Sequence, residues 1–222
     1  MIRLENLSLR YEAGRDVLSG VNLNIPAGAF RFLTGPSGAG KTSLLKLIFL
    51  AHAPSDGRVE LMGHDIAAAS RKQLALMRRQ IGVVFQDFRL VEHLSIYDNV
   101  TLPLRIAGQK PAQWHDNAVE LLNWVGLGGH LDALPATLSG GEKQRAAIAL
   151  AVITRPQIII ADEPTGNVDP QMGVRLLRLL VELNKMGTTV LIATHDRHLW
   201  ENFDFPRLHL ENGHVQQLEA GA

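Results

Sequence analysis

An α/β fold with a mostly parallel sheet is what this 222-residue sequence predicts, on three observations. Strand and helix patterns alternate at both ends of the chain, the arrangement of a sheet covered by helices. A glycine-rich turn links one of those strands to the helix after it. From about 87 to 154 the strand signals fade and helical spacing alone remains. The expectation is a single domain over 1–222. Its core is about 1–86 and 155–222, with a small antiparallel β subdomain near the N-terminus. An α-helical subdomain of about 87–154 is inserted into it.

Each element follows from its pattern. "IRLENLSLRY" and "GVNLNI" alternate as half-exposed strands, and "FRFLTG" is a third strand that runs into the glycine-rich turn. A helix is predicted from about Lys41 to Ala51, stopping before Pro54. "SDGRVELMGHDI" reads as turn, strand, turn. Arg71–Arg79 reads as a helix, and "IGVVF" as a buried strand. Helices follow in "IYDNVTLPLRIAG", "AQWHDNAVELLNWVGL" and the stretch after Ser139. "QIIIADEP" is a buried strand. Pro170–Met186 places Leu176, Leu179, Leu180 and Leu183 on one helical face, and Gly187 closes it. "TTVLIATHD" is another buried strand, and "RLHLENGHVQQL" a hairpin turning at Asn212-Gly213.

Composition narrows the function. Lys+Arg and Asp+Glu are both 22, and no basic run stands out, so nucleic acid is not an expected partner. The absence of cysteine excludes a disulfide scaffold and a Cys-ligated metal. The N-terminus lacks a signal-peptide pattern, and the apolar stretch "LLKLIFLA" is short and holds Lys46. A spanning helix needs about 20 apolar residues. Any membrane role is therefore expected to act through a partner.

"GPSGAGKT" matches G-x-x-x-x-G-K-[ST] between a strand and a helix, the context that makes the motif a phosphate cradle. Gly35, Gly38 and Gly40 let the loop wrap phosphate with backbone N–H groups pointing inward. Pro36, Ser37 and Ala39 complete the loop, Lys41 brings a point charge, and Thr42, followed by Ser43, offers a hydroxyl to Mg²⁺. The expected core is that of a P-loop NTPase (RecA-like). Asp162 and Glu163 end a buried strand, where such sheets place ligands. Adjacent strand residues face opposite ways, so the two are expected to differ in role. Asp162 is assigned to the metal and Glu163 to general-base activation of water. Gln86 and His195 also follow buried strands: Gln86 is expected to sense Mg²⁺ or the attacking water and His195 to contact the γ-phosphate, while spacing alone allows either to be a structural strand-end residue. Tyr11 ends the first strand and offers a ring to a base.

"LSGGEKQR" poses a puzzle. Ser139 and Glu142 form a capping box, yet Gly140 and Gly141 weaken the helix they begin, by about 1 kcal/mol each. A helix start so bare suits the close approach of an anion.

These motifs together resemble the ATP-binding-cassette ATPases: "GPSGAGKT", Gln86, "LSGGE", "IIIADE", "GNVD" and His195 occur in that family's order, over essentially the whole chain. The resemblance implies a homodimer of nucleotide-binding domains paired head to tail. The anion awaited by Ser139, Gly140, Gly141 and Glu142 would then be the γ-phosphate of ATP on a second copy. It also implies that Asp169 communicates across the dimer, that Tyr11 stacks on adenine and that His195 acts as the switch histidine. "IGVVFQDFRL", "IYDNVTLPLRIAG" and "ADEPTGNVD" look most like the cell-division branch of the family. The lipoprotein-release and macrolide-efflux branches overlap with it. That branch implies an integral membrane subunit of the FtsX type, cell-division ring proteins nearby, and a place on the cytoplasmic face of the bacterial inner membrane. It also implies activation of peptidoglycan hydrolases at the septum. Phe88, Leu90, Val91 and Leu94 would by resemblance seat the membrane subunit, while spacing alone allows them equally to be core. Phe49-Leu50, Lys143 and Leu150 depart from the usual pattern.

Overall fold

The computed structural model describes residues 1–11, 14 and 16–220. The first elements are β1 (Ile2–Arg10), β2 (Asp16–Ile25), β3 (Phe30–Thr34), α1 (Lys41–Ile48), β4 (Asp56–Leu61), β5 (His64–Asp65), α2 (Arg71–Arg78) and β6 (Ile81–Val84). Then come α3 (Ile96–Ile106), α4 (His115–Trp124) and α5 (Gly140–Val152), with short 3-10 turns between them. The chain closes with β7 (Ile158–Asp162), α6 (Pro170–Lys185), β8 (Thr189–Ala193), α7 (Arg197–Asn202), β9 (Arg207–Glu211) and β10 (His214–Leu218).

Two sheets result. The smaller is antiparallel, in the order β2-β1-β4-β5. The larger runs β10-β9-β3-β8-β7-β6, parallel from β9 to β6 with β10 antiparallel at its edge. β6, β7 and β8 are continuous, largely apolar runs because both faces are covered. Ile158, Ile160, Leu33 and Leu191 face a core shared with β1, β2, β4 and α1. Ile159, Phe32, Val190 and Ile192 face a second core shared with α3, α5 and α6. Each such side chain, fully buried, contributes roughly 1.5–3 kcal/mol of transfer free energy. β3 lies between β8 and β9, where successive connections leave on opposite sides and open a crevice beyond its carboxyl end.

Four departures from the sequence expectation have local causes. α1 stops at Ile48 rather than Ala51. The next residues close a Schellman turn, with Ala51 N–H donating to Lys46 O at 2.8 Å and Leu50 N–H to Leu47 O at 3.1 Å. Leu50 takes the left-handed position usual for glycine, at φ 64°, and is buried. The backbone cost of about 1–2 kcal/mol is offset by that burial. β2 begins at Asp16, earlier than Gly20, because its added residues pair with Leu9 and Arg10 of β1. α7 was not expected: six residues are too few to show a period, and tertiary contacts hold it through buried Leu199 and through Arg207 over the Trp200 ring. On α6 the buried residues include Leu176, Leu177 and Leu180, while Leu179 and Leu183 are only partly covered. The hairpin turns as expected, with Asn212 at φ 49° and Gly213 at φ 80°.

Candidate active site

Beyond the carboxyl ends of β3, β6, β7 and β8 lies a cleft of about 550 Å³. It is lined by Tyr11, Val17, Gly35, Pro36, Ser37, Gly38, Gly40, Lys41, Thr42, Ser43, Gln86, Asp162, Glu163 and His195. The loop over Gly35–Gly40 leaves β3 and opens α1, whose first N–H groups face an incoming ligand. Lys41 Nζ donates to the carbonyls of Gly35 and Pro36 at 2.8 and 3.0 Å, so the ammonium is pinned across the loop mouth. Ala39 does not line the cleft: its N–H donates to Pro36 O and its methyl packs on the first core. Gly35 is required by a neighbour within the fold as well as by any phosphate. Its φ is 141°, and a Cβ there would stand 2.1 Å from the carbonyl oxygen of Leu210 in β9. Tyr11 offers a half-exposed ring at the cleft rim, with its hydroxyl 3.1 Å from Ser43 Oγ and its edge against His52.

Thr42 Oγ1 donates to Asp162 Oδ2 at 2.7 Å. Burial raises the Asp162 carboxyl above its ordinary range. The Thr42 hydroxyl opposes that rise, neighbouring Glu163 adds to it, and Lys41 and Lys46 oppose it. The opposite-face expectation for Asp162 and Glu163 fails, because both line the same cleft. β7 ends at Asp162, and Glu163 turns into the left-handed region at φ 50°. That strain, of order 1–3 kcal/mol, is held by the surroundings. Glu163 N–H donates to Ala193 O at 2.9 Å. Its carboxylate accepts from the His195 N–H at 3.0 Å and from Thr194 Oγ1 at 3.1 Å, and lies 2.7 Å from His195 Nδ1. Three groups of Thr194 and His195, just past β8, thus hold the Glu163 carboxylate, so tertiary structure aims it.

A divalent cation fits this donor set. Thr42, Asp162 and Gln86 are hard oxygen donors around one side of the cleft. Among the described residues no group of three His, Cys, Asp or Glu would cage a metal by itself. That suits Mg²⁺, which takes one or two protein oxygens and completes its shell with substrate phosphates and water.

The second candidate group lies elsewhere. Ser139, Gly140, Gly141 and Glu142 do not line the cleft. Ser139 caps α5 in a full capping box: its N–H and hydroxyl reach Glu142 Oε2 at 2.8 and 2.6 Å, and Glu142 N–H returns to Ser139 Oγ at 3.4 Å. Those two bonds hold the Glu142 carboxyl below its usual range, with His130 assisting at 3.4 Å. The two glycines differ. Gly140 is exposed, with no neighbour nearer than 4.0 Å to an added Cβ. At Gly141 a Cβ would stand 3.1 Å from Asn167 O, so this glycine also admits the segment leading to Asp169. Asp169 caps α6 by accepting from Met172 N–H at 2.9 Å.

Of the residues open to two readings, Phe88 and Leu90 pack partly buried on the second core, and Val91 and Leu94 are half-buried. Sequence reasoning passed over Asn99. Its buried side chain accepts from Val91 N–H at 2.7 Å and donates toward the carbonyls of Val91, Leu94 and Ser95. It thereby pins the segment after Gln86. The missed signal was an asparagine on the apolar face of a helix.

Comparison with known proteins agrees with this geometry. The ABC transporter family profile matches residues 18–166. The cell division ATP-binding protein FtsE of Escherichia coli K12 is 44% identical over 97% of both chains. FtsE of Bacillus subtilis is 36% identical over 99% of this chain and 96% of its own. An ATP-binding cassette solved as a dimer in a post-hydrolysis state with ADP and Pi superposes with a TM-score of 0.92. It is 34% identical, covering 99% of this chain and 98% of its own.

Proposed function

The chain belongs to the ABC transporter family, as an ATPase subunit, and from that premise we propose how its residues divide the work and where the work is done. ATP lies in the cleft with its phosphates in the Gly35–Gly40 loop and its adenine on Tyr11. The Lys41 ammonium moves from two loop carbonyls onto the phosphate oxygens. Thr42, Asp162 and Gln86, which line the cleft, would hold Mg²⁺, and the ion would neutralise charge developing on the phosphates. Glu163 accepts a proton from the attacking water, and His195, 2.7 Å away, fixes its carboxylate.

Half of this site is missing from one chain. The capped start of α5 stands apart from the cleft, exposing Gly140 and a fixed Ser139. We infer that Ser139, Gly140, Gly141 and Glu142 of a second copy close over the γ-phosphate, with Asp169 at the junction. ATP then favours the paired state and ADP does not, and that difference in affinity is what moves the equilibrium.

The work is assigned to cell division. Similarity to FtsE proteins along nearly the whole length supports this reading. No helix among the described residues is long and apolar enough to cross a membrane. On the similarity to FtsE proteins, the chain acts at the cytoplasmic face of the inner membrane through an integral partner of the FtsX type, transmitting motion that activates peptidoglycan hydrolases at the septum. Depletion in the source organism, with rescue by the parent or by Lys41→Ala, tests this. Filamentous cells rescued only by the parent are expected. Normal septa with mislocalised lipoproteins would overturn the assignment.

A further inference from the structure

Phe85, the residue before Gln86, is gripped by two side chains whose placement the assigned machinery does not require. Phe49 meets its ring edge-to-face, with centroids 5.4 Å apart and planes at 87°. The Arg89 guanidinium lies 4.0 Å from the Phe85 centroid. The chain adopts an unusual path to put Arg89 there. Phe88 and Arg89 are consecutive non-glycine residues at φ 60° and 52°. Phe88 N–H donates to Phe85 O at 3.1 Å and Arg89 N–H to Asp87 O at 2.7 Å, which folds the segment back on itself. Asp87 then steadies the guanidinium at 3.3 Å. Two adjacent left-handed residues without glycine persist only where contacts over-determine them. The ring beneath Arg89 is one such contact.

The grip joins two elements of the site. Phe49 is the C-cap of α1, whose first residues are Lys41 and Thr42. Arg89 follows β6 and Gln86. Phe49, Phe85 and Arg89 line a groove of about 470 Å³ together with Thr42, Gln86 and Asp162. Gln86 itself is exposed at the end of its strand, so its direction depends on what holds its neighbours.

We propose that Phe49 and Arg89 are positioning residues that clamp Phe85 and so hold Gln86 toward the Thr42–Asp162 pair. This rests on the reading of Gln86 as a metal-facing oxygen donor. The test is equilibrium binding of Mn²⁺ to the ADP-loaded protein, followed by the electron-paramagnetic signal of the free ion, without turnover. Outer-shell partners of a metal site commonly change affinity by 10–100-fold. Phe49→Ala is expected to weaken Mn²⁺ binding by about 10-fold, with metal-free ADP affinity preserved at temperatures where the variant, less stable for its lost packing, remains folded, and Phe49→Tyr to restore it. Arg89→Gln, at an exposed position that cannot empty the core, weakens Mn²⁺ in the same direction, and Arg89→Lys weakens it less. Gln86→Ala separates the two ideas. If it weakens Mn²⁺ binding while Phe49→Ala and Arg89→Gln do not, the clamp is wrong. If Gln86→Ala itself leaves Mn²⁺ binding unchanged, the metal-facing reading of Gln86 falls, and the clamp with it.

Discussion

Gly35→Ala separates the two demands placed on the phosphate loop. A Cβ at this position would lie 2.1 Å from Leu210 O, against 3.4 Å or more for an ordinary contact, so the loop and β9 must part by 1.3 Å (3.4 minus 2.1). Leu210 lies in a strand hydrogen-bonded to β3, and its carbonyl cannot rotate aside. The backbone strain at φ 141° adds to this. Strained backbone costs about 1–3 kcal/mol and overpacking another 1–3, so the total is roughly 4 kcal/mol. Gly38→Ala is the control. Its φ is 77°, and an added Cβ meets nothing within 4 Å, leaving a backbone cost of about 1.5 kcal/mol. The difference of about 2.5 kcal/mol corresponds, at 2–4 °C per kcal/mol for a chain of this size, to a gap of roughly 5–10 °C in melting temperature. Thermal unfolding without nucleotide measures it. If the two variants melt within about 2 °C of each other, the close approach of β9 does not explain the glycine.

Other consequences are as direct. Glu163→Gln should lower kcat by about 10²–10⁴-fold with ATP still bound, so gel filtration should show a dimer with ATP and a monomer with ADP; parental hydrolysis would remove Glu163 from the role of base. Adding Ser139→Arg to that variant should disperse the dimer without weakening ATP binding to the monomer, and a surviving dimer would contradict a signature acting in trans. The Glu142 carboxyl is held low by the Ser139 hydroxyl and N–H. The stability this confers is therefore complete above the ordinary carboxylate range and lost as pH falls through the depressed folded value. The protection factors of the Gly140–Lys143 amides, corrected for the intrinsic pH dependence of exchange, should fall over that acid window in the parent and stay flat in Glu142→Gln.

What could be read without coordinates was whatever is local along the chain. The Gly35–Thr42 loop, the box of Ser139 and Glu142 and the Asn212-Gly213 turn each depend on residues a few positions apart. Their chemistry is written in residue type and spacing. The apolar runs of β7 and β8 likewise announce strands covered on both faces. Period two misled at Glu163, because it assumes that the strand continues. The chain leaves β7 at Asp162, and Ala193, Thr194 and His195 from a distant strand decide where the carboxylate goes. The six-residue α7 was silent for a related reason, since its Leu199 is buried in a core that only the fold assembles; Asn99 bonds to Val91, Leu94 and Ser95, all within eight residues, so its signal was local and lay in a polar residue on an apolar helical face.

Residue order alone thus determined the α/β class, the phosphate loop, the carboxylate pair and the signature, because short-range sterics and hydrogen bonding act on neighbours. Tertiary structure alone decided that Gly35 must yield to Leu210, that Glu163 faces His195, and that Ser139 stands apart from Lys41's cleft. Those are distances between segments remote in the chain, set by how two cores close on the two faces of one sheet.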